Sequence, residues 1–457
     1  MKRTDSFKAL VIGFALFAFF GCDTPTNSAN NAASVPNATT SDETPAADTS
    51  ENTDTEAERS ADENDLTVKT LSVSLKDDFM RGFDVSAVDY DEEVNGTTWK
   101  DTDGTQKDFF QILSDHGVNT ARIRVWVDPD NAGAVTNDTE FSESWKSGNN
   151  TTARAVSMAK RAKAAGLSVM LDFHYSDYWT DPGKQVIPHA WQSISTASAM
   201  AEKIASYTKE VLQAMKDGDV TPEYVQVGNE IDSGILLHTY YDSDKNKKTA
   251  ASSSISGACS SANFAAYISA GCSAVREFDA GIKIVLHVTN GSASGVIAKL
   301  SDAHVDYDII GLSYYAWEPS HGTISDLKET VSSLVSTYGK EVVITESSMY
   351  YDYGEYEENY YDLSIAARHL VDSDTDAVFQ DLATETVTYN NADTLIVKGS
   401  LHNQINTFRH IIEASVASGA NGICAWGGER RAEWKYAFFD WGGTALESLN
   451  IFAIEGN

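Results

Sequence analysis

Two glutamates stand at the ends of short apolar runs and could act as a catalytic pair. The run Tyr224–Val227 leads into Asn229 and Glu230, and the run Val342–Thr345 leads into Glu346. Barrel enzymes place their catalytic side chains at the carboxyl ends of strands, where different strands meet. Glycoside hydrolysis needs one carboxylic acid to protonate the leaving oxygen and one carboxylate to attack or stabilise the anomeric carbon. The pair therefore predicts a hydrolase in which Glu230 and Glu346 face each other across a sugar.

Other polar and aromatic residues follow apolar runs in the same way. A glutamate that ends a strand more often caps a helix or pairs with a lysine, so each glutamate alone is weak evidence. Several strands that end in such groups favour a catalytic face instead. Asn229 could hold a sugar hydroxyl, and His174 could bond Glu230 or the substrate. The candidate substrate-binding residues are Asp84, Arg122, Arg124, Trp126, His174, Asp177, Trp179, Asp181, Asn229, Tyr314, Trp317 and Trp426.

Two arginines of the second run are candidates for holding the catalytic pair. Arg122 and Arg124 are two residues apart, so their side chains point to the same side of a strand. Unpaired arginines that face the helix layer would be costly, which favours the barrel interior for both. There, Arg122 or Arg124 could bond Glu346 and keep it ionised, while a negative neighbour keeps Glu230 protonated.

Eight apolar, β-branched runs alternate with amphipathic segments of helical period. The runs are Gly82–Val85, Ala121–Val127, Ser168–Phe173, Tyr224–Val227, Lys283–Val288, Asp308–Ser313, Val342–Thr345 and Gly422–Trp426. The predicted helices are Lys107–His116, Thr152–Ala165, Ala197–Met215, Asn263–Phe278, Gly291–Asp302, Ser325–Tyr338, Leu401–Ala417 and Thr444–Phe452. Eight strand–helix units predict an α/β fold of the (β/α)8 TIM-barrel type. Long loops are expected at Leu237–Ala258, after the fourth run, and Met349–Gly399, after the seventh. A doubly wound open sheet is the alternative, but it usually has fewer units and a phosphate-binding glycine loop, which this sequence lacks.

The N-terminus resembles the signal segment of a bacterial lipoprotein. A basic start precedes the apolar run Ala9–Phe20, which is too short for an ordinary membrane span, and Cys22 follows closely. Residues 1–22 are therefore predicted to be the signal, and Cys22 the lipidated residue. Because Phe19 stands where such signals usually have Leu, an ordinary signal peptide remains the alternative. We expect a secreted or cell-surface protein held to a bacterial membrane by a lipid anchor only.

The remaining N-terminal sequence and the overall charge limit the choice of partners. Residues 23–75 are acidic, rich in Ser and Thr and poor in large apolar side chains, which predicts a disordered tether before a catalytic domain at 76–457. The formal net charge of −33 argues against a nucleic-acid partner and disfavours a polyanionic ligand. A neutral polymer remains compatible with this charge, and a monomer is expected.

The cysteines and the acidic loop residues limit which metal ions the protein could bind. No Cys/His spacing suggests zinc, and no cofactor is expected to be required. Cys259 and Cys272 could form a disulfide or be two buried residues of one helix, and Cys424 is predicted to be a buried thiol. The loop after the seventh run has the oxygen-rich spacing of a structural calcium site, although it lacks an EF-hand glycine and terminal glutamate, and a solvated loop is the alternative. The candidate calcium ligands are Asp372, Asp374 and Asp376.

Six stretches carry a family resemblance: Gly82–Ser86, Arg122–Pro129, Asp172–Gln185, Gln226–Ile231, Ile310–Tyr315 and Ile344–Glu346. They resemble motifs of the endo-β-1,4-galactanases of glycoside hydrolase family 53, and the similarity runs from about Arg81 to the C-terminus. The resemblance implies a (β/α)8 fold and retaining hydrolysis of β-1,4-galactan, a neutral side chain of pectin. It also implies that Glu230 is the acid/base and Glu346 the nucleophile.

The sequence departs from that family after the last run, where Trp426 is followed by Gly427-Gly428-Glu429 instead of Glu-Pro. One wall of the cleft is therefore expected to differ. The alternatives are a retaining endoglycanase of the same clan on another β-linked polymer, such as mannan or xylan, and a non-catalytic surface glycan-binding lipoprotein.

Overall fold

The computed structural model describes residues 61–137, 149–352, 381–389, 392–431 and 435–454. The predicted signal with Cys22, residues 23–60 of the predicted tether, and the calcium candidates lie outside the described residues. Those calcium candidates are Asp372, Asp374 and Asp376.

Within the described residues, eight parallel strands close into a barrel in chain order, each paired with its neighbours in the sequence and β8 with β1. The strands are β1 Met80–Asp84, β2 Thr120–Val125, β3 Ser168–Phe173, β4 Tyr224–Val227, β5 Lys283–Thr289, β6 Ile309–Ser313, β7 Glu341–Ser347 and β8 Gly422–Ala425. The α-helices described outside this barrel are α1 Val88–Asn95, α2 Phe109–Asp115, α3 Thr152–Ala164, α4 Ala197–Asp217, α5 Ala262–Phe278, α6 Ala293–Asp302, α7 Ile324–Tyr338 and α8 Leu401–Ala417. Together, the barrel and its helices confirm the predicted (β/α)8 TIM-barrel fold.

Two differences from the predicted elements have local causes. Helix α1 was not predicted, because its sequence is mostly acidic and shows no clear apolar stripe. The predicted α-helix Thr444–Phe452 is wrong in type, since the described segment is a 3-10 helix, Glu447–Ala453. Its last turn packs Phe452 edge-on against Phe83 of β1, at a ring distance of 5.8 Å.

The long loops after β4 and β7 carry hairpins. In the first loop, His238–Asp242 pairs antiparallel with Lys247–Ala250. In the second, Thr384–Tyr389 pairs antiparallel with Ala392–Val397. The first hairpin also joins the loop after β3, because the backbone N–H of Ile187 donates to the carbonyl of His238 at 2.7 Å. That contact places this hairpin at the carboxyl end of the strands.

The barrel interior changes from apolar to polar along the strands. A buried apolar layer is formed by Met80, Met170, Val285, Ile309, Val343 and Cys424. Alternate residues of a strand share a side, so even steps along each strand continue into the interior. These steps lead to the buried polar residues Asp84, Asp172, Gln226, His287 and Ser313. The core therefore ends in a polar layer at the carboxyl ends of the strands.

Glu346 enters this polar layer through an irregularity in β7. Gly311 of β6 pairs with Val343, but Ser313 pairs with Glu346, so β7 contains one extra residue between these positions. Glu346 is three residues from the inward-facing Val343, and an unbroken strand would point it towards the helices. The extra residue reverses that direction, as β-bulges commonly do beside active sites.

The predicted tether ends too late, because residues 61–75 are part of the packed domain. Leu71 is fully buried in the main core. The backbone N–H of Ser72 donates to Glu413 of α8 at 2.8 Å, and Lys69 lies 3.3 Å from Asp381. Apolar side chains every few residues suffice to dock this segment, although its overall composition is polar.

Cys272 and Cys424 both carry free, buried thiols, so Cys272 is not joined to Cys259, and the prediction for Cys424 is confirmed. Among the described residues, no helix combines the length and the apolar character that crossing a bilayer requires.

The docking of residues 61–75 is testable through Leu71. Leu71→Ala should lower the free energy of unfolding by about 2–5 kcal/mol, because it empties a buried site. Val94→Ala is the control, since Val94 is 50% exposed, and its effect should stay within about 0.5 kcal/mol. Urea denaturation measures both variants, and equal midpoints would contradict the docking.

Candidate active site

Glu230 and Glu346 meet at the carboxyl ends of β4 and β7. One carboxylate oxygen of each, together with a ring nitrogen of His287, lie within 4.8 Å of one another. Both glutamates are buried. This is the juxtaposition that the sequence predicted for the two glutamates.

A turn after β4 directs Glu230 into the barrel. Gly228 has φ 84° and Glu230 has φ 45°, so both residues adopt left-handed backbone conformations. This conformation is unfavourable for a glutamate and costs about 1–3 kcal/mol. The turn is held because the Gln185 side chain donates to the carbonyls of Asn229 and Glu230, at 2.9 and 3.2 Å.

Arg122 is the cation at the centre of the site. Its Nη1 lies 2.9 Å from Glu346 Oε1 and 3.2 Å from Asp84 Oδ2, while its Nη2 lies 2.9 Å from Asp172 Oδ2. The side chain is fully buried. Burial alone would lower the pKa of Arg122, but the carboxylates of Asp172, Glu346 and Asp84 raise it above its ordinary value. Arg122 therefore remains charged and neutralises this group of acids.

Arg124 lines the same side of β2 but does not contact the catalytic pair. Its guanidinium lies 3.4 Å from Asp84 Oδ2 and 3.8 Å from the ring centre of Trp179. Both arginines thus face the barrel interior, as predicted, and the expected bond to Glu346 is made by Arg122.

Glu346 is surrounded by groups that favour its ionised form. The Tyr315 hydroxyl donates to Glu346 Oε2 at 2.8 Å, and Arg122 faces the other oxygen. Burial raises the pKa of Glu346 above its ordinary value, and the Arg122 charge and the Tyr315 hydrogen bond reverse only part of that rise. Of the two catalytic candidates, Glu346 is therefore the one that loses its proton first.

Glu230 is surrounded by groups that favour its protonated form. Burial raises the pKa of Glu230 well above its ordinary value, and the negative charges of Glu346 and Asp232 raise it further. A hydrogen bond from the Ser313 side chain opposes this only in part. Of the two carboxyl groups, Glu230 therefore keeps its proton to the higher pH.

A buried layer of hydrogen bonds fixes the residues around the pair. The Gln226 amide donates to Asp172 Oδ1 at 2.6 Å, and its oxygen accepts from Arg122 at 3.0 Å. Asn229 accepts from Arg122 Nη2 at 2.9 Å and donates to the Thr180 carbonyl at 2.8 Å. The Asn229 amide is thereby locked in orientation beside Glu230.

His174 does not bond Glu230, contrary to the first of its expected roles. Its Nε2 lies 3.2 Å from Asp172 Oδ2, and its Nδ1 accepts from the backbone N–H of Thr180 at 3.0 Å. Burial lowers the pKa of His174, so the ring is neutral and donates to Asp172. His174 therefore orients the carboxylate that faces Arg122.

Half-buried aromatic rings flank the pair. The rings of Trp179 and Trp426 meet edge-on at 6.1 Å, and Trp426 lies 6.0 Å from the Tyr315 ring. The indole N–H of Trp317 donates to the Ser348 carbonyl at 3.0 Å, which fixes this ring beside Tyr315. Such ring faces suit stacking on sugars.

Four predicted substrate-binding residues make contacts away from the glutamate pair, although the charge of Asp181 still raises the pKa of Glu230. Trp126 is fully buried beneath Trp179, so it has no exposed ring for a sugar. Asp177 accepts from the backbone N–H groups of Asp128 and His189, and burial raises its pKa to about 6. Trp126 and Asp177 therefore make structural contacts, and their binding role stays a prediction. Asp181 is half-exposed and forms an ion pair with Lys184. Tyr314 is buried, and its hydroxyl donates to the Gly322 carbonyl.

Tyr315, and not Tyr314, is the tyrosine of the site, and sequence reasoning missed it. Ser313 points into the barrel, where its hydroxyl lies 2.9 Å from His287 Nε2. Alternation then directs Tyr314 away and Tyr315 back towards the interior. Asp172 and Gln226 were also missed, although each lies at an even step from an inward-facing neighbour.

The three ligand atoms of Glu230, His287 and Glu346 are close enough to hold a metal ion. However, the Arg122 charge lies 2.9 Å from Glu346 and would repel a divalent cation there. The arrangement therefore suits a shared proton better than a metal ion.

Comparisons with known proteins agree with this geometry. A family model described as glycosyl hydrolase family 53 matches residues 80–452. An endo-β-1,4-galactanase of Bacillus subtilis is 34% identical over 291 residues, covering 63% of this chain and 60% of that protein. A probable arabinogalactan endo-β-1,4-galactanase A of Aspergillus terreus is 32% identical over 279 residues, covering 59% of this chain and 70% of that protein. The chain thus spans less than two thirds of the length of the Bacillus relative.

A solved structure described as the Ignisphaera aggregans GH53 catalytic domain is also similar. It superposes with a TM-score of 0.67 and 27% identity, covering 86% of this chain and 99% of that one. A fungal β-1,4-galactanase structure at 24% identity and a TM-score of 0.62 supports the fold, covering 82% of this chain and 98% of that one.

The proton on Glu230 gives a pH prediction. A required acid is active below its pKa, so cleavage of an unactivated glycoside should decline as the pH rises through the raised pKa of Glu230. Glu230→Gln removes the donor and should slow that reaction by about 10²–10⁴-fold. Steady-state kcat/KM against pH measures both effects. Glu223→Gln, just before the start of β4, is the control, and an equal loss in this variant would contradict the assignment.

Proposed function

Because the chain belongs to glycosyl hydrolase family 53, we propose that it is an endo-hydrolase of β-1,4-galactan that retains the anomeric configuration. The observation that supports this most is the buried Glu230–Glu346 pair, in which burial and negative neighbours raise the pKa of Glu230, whereas Arg122 and Tyr315 partly hold down the pKa of Glu346. A pair of this kind supplies an acid and a nucleophile at one pH.

The proposed reaction is a double displacement. Glu346 attacks the anomeric carbon while the glycosidic bond breaks, and Glu230 gives its proton to the departing oxygen. A glycosyl ester of Glu346 results. Glu230, now a carboxylate, takes a proton from water, whose oxygen attacks the anomeric carbon and releases Glu346. Arg122 and Tyr315 stabilise the Glu346 carboxylate as it leaves.

The spacing of the pair supports retention over inversion. Carboxylate oxygens within 4.8 Å agree with the roughly 5–5.5 Å of retaining enzymes. An inverting enzyme keeps its carboxyl groups about 6.5–9.5 Å apart to seat a water molecule between them and the sugar. The oxygens of Glu230 and Glu346 lie closer together than that range.

A neutral galactan fits the rest of the site. The formal charge of −33 disfavours a polyanionic chain, whereas the rings of Trp179 and Trp426 can stack on uncharged sugars. Related proteins named for β-1,4-galactanase activity support galactan over mannan or xylan. The alternative of a glycan-binding protein without activity is not favoured, because both glutamates are present and oriented.

The location and assembly of the protein are further parts of the proposal. The sequence of residues 1–22 supports export, with Cys22 as the lipid-anchored residue and the bacterial cell surface as the place of action. A monomer is proposed, and the suggestion of calcium at Asp372, Asp374 and Asp376 rests on their spacing alone.

A panel of neutral polysaccharides tests the substrate and the nucleophile together. Wild-type protein should release reducing ends from galactan and far fewer from mannan or xylan. Glu346→Gln should lose more activity than Glu230→Gln, because it removes the attacking atom, and it should still bind galacto-oligosaccharides in calorimetry. Glu341→Gln, at the opposite end of β7, is the matched control and should keep wild-type rates. Cleavage of mannan or xylan in preference to galactan would contradict the proposed substrate.

A further inference from the structure

A third buried glutamate lies beside the active site in the loop that follows β8. Glu429 is 1% exposed, and its Oε2 has no hydrogen-bond partner among the described residues. An unpaired buried carboxyl oxygen is costly, so its position calls for an explanation. The mechanism above does not use it.

Two glycines bring Glu429 to this position. Gly427 has φ 70°, which favours glycine, and turns the chain at the end of β8. A Cβ at Gly428 would lie 2.3 Å from the Phe83 ring, so only glycine allows the loop to pack on β1. The backbone N–H of Phe438 donates to the Gly428 carbonyl at 2.9 Å and holds the loop there.

The charged groups that act on Glu429 come from three elements. They are Asp84 on β1, Arg124 on β2, and Arg430 in the same loop. Burial, and then the negative charge of Asp84, raise the pKa of Glu429 to about 8, while Arg430 and Arg124 oppose this. Its burial and its unpaired oxygen both favour the neutral acid, so we expect Glu429 to be protonated at neutral pH.

Asp84 connects this neutral acid to the nucleophile. Its Oδ2 lies 3.2 Å from Arg122 Nη1, and the same Nη1 lies 2.9 Å from Glu346. Asp84 and Glu346 therefore share one guanidinium nitrogen, and Arg124 supplies a second, weaker contact to Asp84 at 3.4 Å. Because the charge of Arg124 also acts on Glu429, a negative charge on Glu429 would compete with Asp84 for Arg124. Asp84 would then pair more strongly with Arg122, and the contact between Arg122 and Glu346 would weaken.

We propose that Glu429 is a positioning residue that must be protonated for full activity, because its neutral form leaves Arg122 available to Glu346. The role rests on the proposed function of the Glu230–Glu346 pair. It acts on formation of the glycosyl ester, in which Glu346 attacks, and it requires no contact between Glu429 and the substrate.

The test separates this ionisation from that of Glu230. An aryl β-galacto-oligosaccharide with a dinitrophenol leaving group needs no proton from Glu230, so its kcat/KM reports attack by Glu346. For wild-type protein, this kcat/KM should fall at least about fivefold through a midpoint near the pKa of about 8 given above. Glu429→Gln keeps the shape of the side chain and cannot ionise, so its profile should stay flat. Glu447→Gln, an exposed position of the same C-terminal segment, should follow the wild type.

Two further measurements keep the inference falsifiable. Arg430→Gln removes a positive charge that favours ionised Glu429, so the midpoint should move to higher pH. Difference infrared spectra, which need no substrate, should show a protonated carboxyl at neutral pH in wild type that is missing in Glu429→Gln. Identical spectra, or parallel pH profiles for wild type and Glu429→Gln, would overturn the role of Glu429. Failure of the wild type to cleave galactan and the activated galactoside would contradict the proposed function instead, and the infrared result would still decide the protonation of Glu429.

Discussion

The site depends on one interaction, in which the buried guanidinium of Arg122 pairs with three carboxylates. Arg122 faces Asp84, Asp172 and Glu346, and it is fully buried. Three acids without that cation could not all remain ionised in the barrel interior. With it, Glu346 is stabilised as a carboxylate, and its negative charge in turn helps to keep the proton on Glu230. The opposite states of the two glutamates therefore have a common cause.

The barrel supplies the geometry that this charge distribution needs. Even steps along the strands carry polar side chains into one layer above an apolar layer, so the acids and Arg122 meet without a dedicated binding loop. Two local departures from regular structure complete the pair. The extra residue in β7 turns Glu346 inward, and the left-handed turn after β4 directs Glu230 towards it. Both departures lie at the site and cost stability, as expected where function takes precedence over regular structure.

The sequence predicted the barrel and the catalytic pair, because both leave simple patterns. The strand Ser168–Phe173 was predicted with its observed bounds, since a mostly apolar run between turn residues is typical of a buried parallel strand. The directions in which individual side chains point were harder to predict. Nothing in the local sequence marks the extra residue of β7. Tyr314 was predicted and Tyr315 was not, and the sequence alone does not show that Ser313 points inward.

Long-range packing explains the other differences between the predictions and the structure. The composition of residues 61–75 predicts a tether, yet Leu71 packs into a core most of whose members are far away in the sequence. Glu429 was recognised only as a departure from a family motif. The loop that carries it packs Gly428 against Phe83, more than 300 positions earlier in the chain. Contacts of this kind are set by the tertiary fold and are absent from local patterns.

The stereochemistry of the first product tests the central claim most directly. Proton NMR can follow the anomeric signals when wild-type protein is mixed with a β-1,4-galacto-oligosaccharide, before mutarotation equilibrates the new reducing end. A glutamate pair that acts by double displacement should give the β-anomer first, with the α-anomer appearing later at the rate of mutarotation. Initial formation of the α-anomer would show a single displacement by water and would contradict Glu346 as the nucleophile.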